Sequence, residues 1–171
     1  APAPAADDAK KAEEAKKAEE AKKADEAKKA TEAKKAEMLK KADGLSDEQL
    51  RRAMVDSGTS ILGLVQHLAE AERYWFGHHL VGAAWSADDE YGMAVPADRA
   101  VADVLRDYRA AVEASDRAIR AVGDPDVRFA VPVEGNRHTL RWVLAHMTSE
   151  TARHAGHADI LREQLDGTTG R

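Results

Sequence analysis

From Ser60 onward, apolar residues recur at helical spacing in three long stretches. Ile61, Leu64, Val65, Leu68, Ala71, Trp75 and Phe76 share one face of a helix predicted over residues 60–80, which stops near Gly82. Val101, Val104, Leu105, Tyr108, Val112, Ile119 and Val122 do the same over 97–122, ended by Gly123-Asp124-Pro125. Leu140, Val143, Leu144, Met147, Leu161 and Leu165 define the last helix over 139–165, before Gly167. A shorter helix running to Arg52 opens at Ser46-Asp47-Glu48-Gln49, which has the form of a capping box, and a turn follows at 56–58. Residues 83–96, with Trp85, Tyr91, Gly92 and Pro96, lack any period and read as a long loop, a kind often tied to function. Residues 127–136 alternate weakly, but no partner strand is apparent, so they too read as a loop.

Ahead of these stretches the pattern changes. Over residues 8–43 a hexad close to Ala-Lys-Lys-Ala-Glu-Glu repeats, with alanine at every third position. A helix turns once per about 3.6 residues, so this alanine stripe winds around the axis and builds no sustained apolar seam. The charges still favour a helix: Glu13 reaches Lys16 and Lys17, Glu14 reaches Lys17, and such pairing continues to Lys29. Alanine, lysine and glutamate are strong helix formers, so the repeat reads as a solvated helix behind an Ala-Pro-Ala-Pro leader. It would extend about 54 Å at roughly 1.5 Å per residue, longer than an ordinary bundle, so its N-terminal half should protrude. Only Ala33, Ala36, Met38, Leu39 and Ala42 offer a docking surface, before Gly44 as C-cap and Leu45 beyond it. Being mostly alanine, this helix is expected to pack weakly compared with the others. The division that follows is a leader and solvated helix over 1–30 and a globular unit over 31–171.

Four long helices without a convincing strand predict an all-α fold, a four-helix bundle with an extended, partly protruding N-terminal helix. The 171 residues, 43% hydrophobic and 5% aromatic, suffice for one compact aliphatic core. No apolar run approaches the roughly 18 residues of a membrane span, and no charged-then-apolar signal opens the chain. The expectation is a soluble cytoplasmic protein with no membrane partner, export being left open by the Ala-Pro-Ala start. A net charge of -5 and arginines without interleaved aromatics argue against nucleic acid, leaving a small molecule and a second copy, in a homodimer, as the partners to consider. The absence of cysteine excludes disulfides, thiolate metal sites and a cysteine nucleophile, so any thiol must come from outside. All twelve lysines lie at or before Lys41 and all fourteen arginines at or after Arg51, together the 26 basic residues. That switch marks two segments of different history, the first added or redesigned.

The last helix carries polar residues where its apolar stripe should continue. His146, Glu150, His154, His157 and Leu161 are spaced by 4, 4, 3 and 4 residues and stack along one face. Polar groups placed against a core must be paired, hydrogen-bonded or metal-bound, because leaving them bare and buried costs several kcal/mol. If the 60–80 helix faces this one, His67 with Glu150 and His154 makes a two-histidine, one-carboxylate set suited to zinc, nickel, iron(II) or manganese. His157 and Glu70 compete as ligands, and His146 reads as a hydrogen-bonding partner of the carboxylate or a pocket wall. The plainer reading is a surface Glu-His ion pair or a core histidine bonded to backbone. His78 and His79 at a helix end, and His138 at a helix start, read as solvated; Trp75, Trp85 and Trp142 read as packing residues or a substrate wall.

The segments Leu62-Gly-Leu-Val-Gln-His67-Leu-Ala-Glu-Ala-Glu-Arg-Tyr-Trp75-Phe76 and Thr139-Leu-Arg-Trp-Val-Leu-Ala-His146-Met, continuing through Glu150-Thr-Ala-Arg-His154-Ala-Gly-His157-Ala-Asp-Ile-Leu-Arg162, resemble the DinB-like superfamily over residues 45–166. The ending is most similar to an actinobacterial branch of it. The resemblance implies a four-helix bundle whose divalent metal is held by His67 of the second helix and by Glu150 and His154 of the fourth. Many members have histidine where this chain has Glu150, and the carboxylate version is similar to the mycothiol-dependent maleylpyruvate isomerase group. It implies a transferase or isomerase using mycothiol or bacillithiol, with zinc as the first choice of metal. The Lys/Ala/Glu first helix departs from the pattern, since the usual apolar residues are replaced there. Two further readings stay open: a metal-dependent hydrolase with water as nucleophile, and a non-catalytic scaffold or binding module carrying a spacer helix.

Overall fold

Hydroxyl side chains mark where the helices begin. Ser60 accepts a hydrogen bond from the Gly63 N–H, Thr139 from the Trp142 N–H, and Ser46 exchanges bonds with Gln49 in a complete capping box. In the computed structural model, which describes residues 6–86 and 92–169, the chain is all-α. The elements are α1 (Ala6–Lys40), α2 (Asp47–Arg51), α3 (Ile61–Glu72), α4 (Val101–Val122) and α5 (Leu140–Asp166), and α3 continues directly into π-helical turns over Arg73–Leu80. The leader and part of the 83–96 loop, including Tyr91, lie outside the described residues. None of the described helices is long and apolar enough to cross a membrane.

α1 packs chiefly on α5, α3 chiefly on α4, and α3 also meets α5. One apolar cluster joins Met38 of α1 to Leu64 and Leu68 of α3, Val104 and Tyr108 of α4, and Leu161 of α5; a second gathers Phe76, Leu80, Ile119, Phe129, Val143 and Met147. Every described side chain from Lys10 to Lys29 is exposed, as a winding alanine stripe requires.

The end of α1 departs from expectation. Ala33 and Ala36 are exposed, and the docking face is Lys35, Met38 and Ala42, at the i, i+3 and i+7 spacing of one helix side. Far from packing weakly there, α1 buries Met38 completely and sends Lys35 into the core. Its Nζ lies 2.9 Å from Oε2 of Glu72 and 3.9 Å from Oδ1 of Asp116, with the two principal partners only 2% and 1% exposed. The ammonium also sits 5.3 Å from the Phe76 ring centroid. Burial pushes the Glu72 carboxyl above its usual range while Lys35 pulls it back. α1 ends at Lys40, three residues short of expectation, because the chain turns over 41–44, Gly44 taking φ 77°. Arg162 of α5 then donates from Nη1 to the carbonyls of Lys41 and Asp43, at 2.9 and 2.6 Å, satisfying groups the helix end leaves open.

The 127–136 segment does find a partner. Glu134 and Gly135 take φ 46° and 80°, a tight turn that pairs Val133 with Asn136, and Arg128 pairs with Thr139 further along. The short hairpin closes over the end of the π-helical turns, with Ala130 and Val131 N–H groups donating to the carbonyls of Leu80 and His79. Phe129 is thereby buried, a core residue that no helical period announces.

The buried Lys35–Glu72 pair generates a test by denaturant unfolding. Lys35→Ala or Glu72→Ala alone should destabilise the chain by about 3–5 kcal/mol, because each strands a buried charge. Lys35→Met combined with Glu72→Leu should return close to the parent stability. A single variant costing less than about 1 kcal/mol, the range of exposed pairs, would contradict the burial described.

Candidate metal centre

α3 and α5 each bring one side to a shared groove. His67 projects from the middle of α3, four residues beyond Gly63 and one after the core residue Gln66, and it is 8% exposed. A Cβ on Gly63 would stand 2.2 Å from the Met93 carbonyl oxygen, so glycine lets the loop backbone lie directly on α3 just before His67. Glu150 and His154 sit one turn apart on α5, His154 being 5% exposed.

The three side chains converge. Nε2 of His154 lies 3.0 Å from Oε1 of Glu150, and Nε2 of His67 lies 3.8 Å from the same oxygen. The two imidazoles meet edge to face with centroids 4.9 Å apart. One donor atom from each of the three lies within 4.8 Å of the others, a spacing one cation can bridge. The second oxygen of Glu150 is held by Arg153 at 3.0 Å.

The charges distinguish this arrangement from an ordinary ion pair. Burial pushes both imidazoles below the usual value of 6.5, their mutual repulsion adds to this at His67, and the attraction of Glu150 does not offset it. At neutral pH both are therefore uncharged. Burial alone would raise Glu150, but at the acid pH where a carboxyl titrates the hydrogen bond and charge of His154, then protonated, followed by Arg153 and His146, outweigh it and hold the carboxyl below its usual range. The result at neutral pH is an ionised carboxylate beside two uncharged imidazoles, with the exposed Arg153 paired to its outer oxygen. Nδ1 of His154 is buried without a hydrogen-bond partner among the described residues. Donor types, protonation states and spacing all fit a divalent ion.

The other sequence candidates divide. His157 is exposed, its ring 5.5 Å from that of His154, and does not join the three donors. Glu70 turns to the other side of α3, where its carboxylate accepts the Gly92 N–H at 3.1 Å. His146 packs against Trp75 and Trp142, at centroid distances of 4.6 and 4.9 Å. His138 continues that row, stacked on Trp142 at 3.9 Å rather than solvated. His79 is also not solvated: it is buried, and Nδ1–H donates to the Val131 carbonyl at 3.0 Å, an acceptor supplied by the hairpin. His78 is half-buried, 2.9 Å from the Ala83 carbonyl. Trp75 and Trp142 line the α3–α5 side beside His146, whereas Trp85 packs on Tyr74 away from it. The sequence shows the row His146, Glu150, His154, His157 and Leu161; the stack of His138, Trp142 and His146 that leads into it is not legible there.

A lowered histidine pKa makes the folded state bind fewer protons than the unfolded one below pH 6.5. Stability contributed by neutral His67 and His154 is thus complete above pH 6.5 and lost as pH falls below it. In metal-free protein, NMR titration should place both imidazoles below 6.5, and the urea midpoint should fall between pH 7.5 and 5.5. Imidazoles titrating above 6.5 would mean a charged Glu-His pair instead.

Residues 27–167 match the family model for mycothiol-S-transferase. Comparison with curated proteins and with solved structures gives no match. The matched span includes all three converging donors and begins inside the Lys/Ala/Glu repeat, so the docked end of α1 falls within the family's own extent. The chain belongs to the mycothiol-S-transferase family.

Proposed function

We propose that the protein is a metal-dependent transferase acting with an external low-molecular-weight thiol of the mycothiol type, at a divalent cation held by His67, Glu150 and His154. The observation that carries this reading is the convergence of one imidazole from α3 with a carboxylate and an imidazole from α5, their donor atoms within 4.8 Å of one another. Zinc is the first choice, and nickel, iron(II) or manganese would accept the same donors. Three protein donors leave positions for an incoming molecule, which is the pattern of catalytic rather than closed structural sites. A cation bound there would lower the pKa of a coordinated thiol and keep it as thiolate at neutral pH.

The chain's own residues supply the remaining work. His67 and His154, kept neutral by burial, present lone pairs without first losing a proton. Arg153 orients Glu150 by holding the oxygen turned away from the imidazoles. Trp75, Trp142 and His146 form the apolar wall against which a substrate's organic portion would lie. With no cysteine in the chain, the attacking sulfur is the cosubstrate's. Isomerisation through reversible thiol addition uses the same groups. We assign this function to residues 31–171, with the preceding helix as a solvated rod.

Purified protein should carry one divalent ion per chain by elemental analysis. His67→Ala and His154→Ala should each weaken metal binding by more than the about 10–100-fold that loss of an outer-shell partner costs. With metal supplied, mycothiol and an electrophile panel should show thiol consumption that both variants lose. Turnover of ester or amide substrates without any thiol would instead establish the hydrolase. Metal content of nil, unchanged by either substitution, would leave the scaffold reading.

A further inference from the structure

Gln66 and His67 are neighbours on α3 and serve opposite sides of it. His67 faces α5, while Gln66 lines a cavity of about 740 Å³ between α3, its π-helical continuation and α4. None of the three metal-site donors lines this cavity. The cleft opens to solvent, and its volume falls within the roughly 300–1,000 Å³ of small-molecule sites. We propose that it is a second binding site, for a small molecule with a flat apolar body and a single acidic group.

The wall chemistry defines that class. Trp85 and Val81 line it with Ala111, Ala114 and Ala118 of α4, and Gly77, also in its lining, leaves open space where a side chain would be. A Cβ built on Gly77 meets nothing within 4 Å. The widened π-helical turns place Gly77 on the cavity side while Phe76 and Leu80 stay in the core.

The polar groups are largely committed to holding the walls. Gln66 donates to the Ala94 carbonyl at 3.0 Å and accepts from Arg99 at 2.8 Å. Arg99 also pairs with Asp107, Glu70 accepts from Gly92, the Glu72 carboxylate accepts from Lys35, and Ser115 donates to the Glu72 carbonyl. Arg73 differs: it is exposed, and the bond it makes to the Asp107 carbonyl at 3.3 Å uses one of a guanidinium's five N–H donors. An acidic group reaching the mouth of the cavity meets that fork, while its apolar body covers the alanine and tryptophan surfaces.

The probe is 8-anilinonaphthalene-1-sulfonate, which joins a flat apolar body to one acid, titrated by fluorescence into the full chain. The structure predicts saturable binding at one site. Gly77→Phe, which builds outward from a position where a Cβ meets nothing within 4 Å, should weaken it at least tenfold while preserving the melting temperature. Arg73→Gln should weaken it several-fold, and His67→Ala should leave it unchanged. Ala118→Leu gives an independent filling of the same space should Gly77→Phe fail to fold. The proposal is overturned if saturable binding is absent or if folded cavity-filling variants bind like the parent. Loss of binding in His67→Ala would overturn it too, by placing the probe in the α3–α5 groove without touching the metal-site reading.

Discussion

The site depends on the meeting of His67 from α3 with Glu150 and His154 from α5, where burial pushes both imidazoles below their usual pKa while the carboxyl is held below its own. Glu150 cannot be relieved by His67 or His154, because burial removes the charge from both. Arg153 reaches only the outer oxygen from an exposed position, where solvent screens it. What remains is a carboxylate and two imidazoles whose donor atoms lie within 4.8 Å of one another, a grouping that could hold a divalent ion. A helix pair packed through apolar residues alone would gain nothing from such a set and would pack better without it.

Holding that geometry falls to α3, which is anchored on every side. Toward α1 and α4 it presents Leu64 and Leu68 and then Glu72, gripped by Lys35 from the docked end of α1. Toward the loop over 92–99 it presents Gly63, Gln66 and Glu70, which bring loop backbone into direct contact. Toward α5 it presents His67. The π-helical turns that follow are capped by a hairpin, so the end of the element is fixed as firmly as its start. A ligand on a helix constrained this way loses little entropy on binding metal, the condition for a site built on rigid elements.

Periodicity was the part of the fold that sequence carried well. The apolar faces of α3, α4 and α5 and the caps at Ser46, Ser60 and Thr139 all lie where spacing and side-chain chemistry put them. The site was legible because polar residues interrupted an apolar stripe at i, i+4 steps, and because His67 stood beside the stripe of the partner helix. Three things were not legible, each for a physical reason. Lys35 looks like every other lysine of its repeat, and only the tertiary position of Glu72 makes it a core residue. His79 and Phe129 are buried by a hairpin whose turn, Glu134-Gly135, lacks the usual asparagine or aspartate signal. The π-helical turns shift the register after Glu72, so Trp75 sits half-buried at the edge of the second core cluster and joins the aromatic row on α5.

The claim on which the account rests is that one cation is shared across α3 and α5. It is tested most directly by crystals of the full chain grown with zinc or cobalt, with anomalous diffraction recorded on either side of the metal's absorption edge. The account predicts one strong peak at bonding distance from an imidazole nitrogen of His67, a carboxylate oxygen of Glu150 and an imidazole nitrogen of His154. A map with no peak there, or with the ion held elsewhere while His67 turns away from α5, would contradict it.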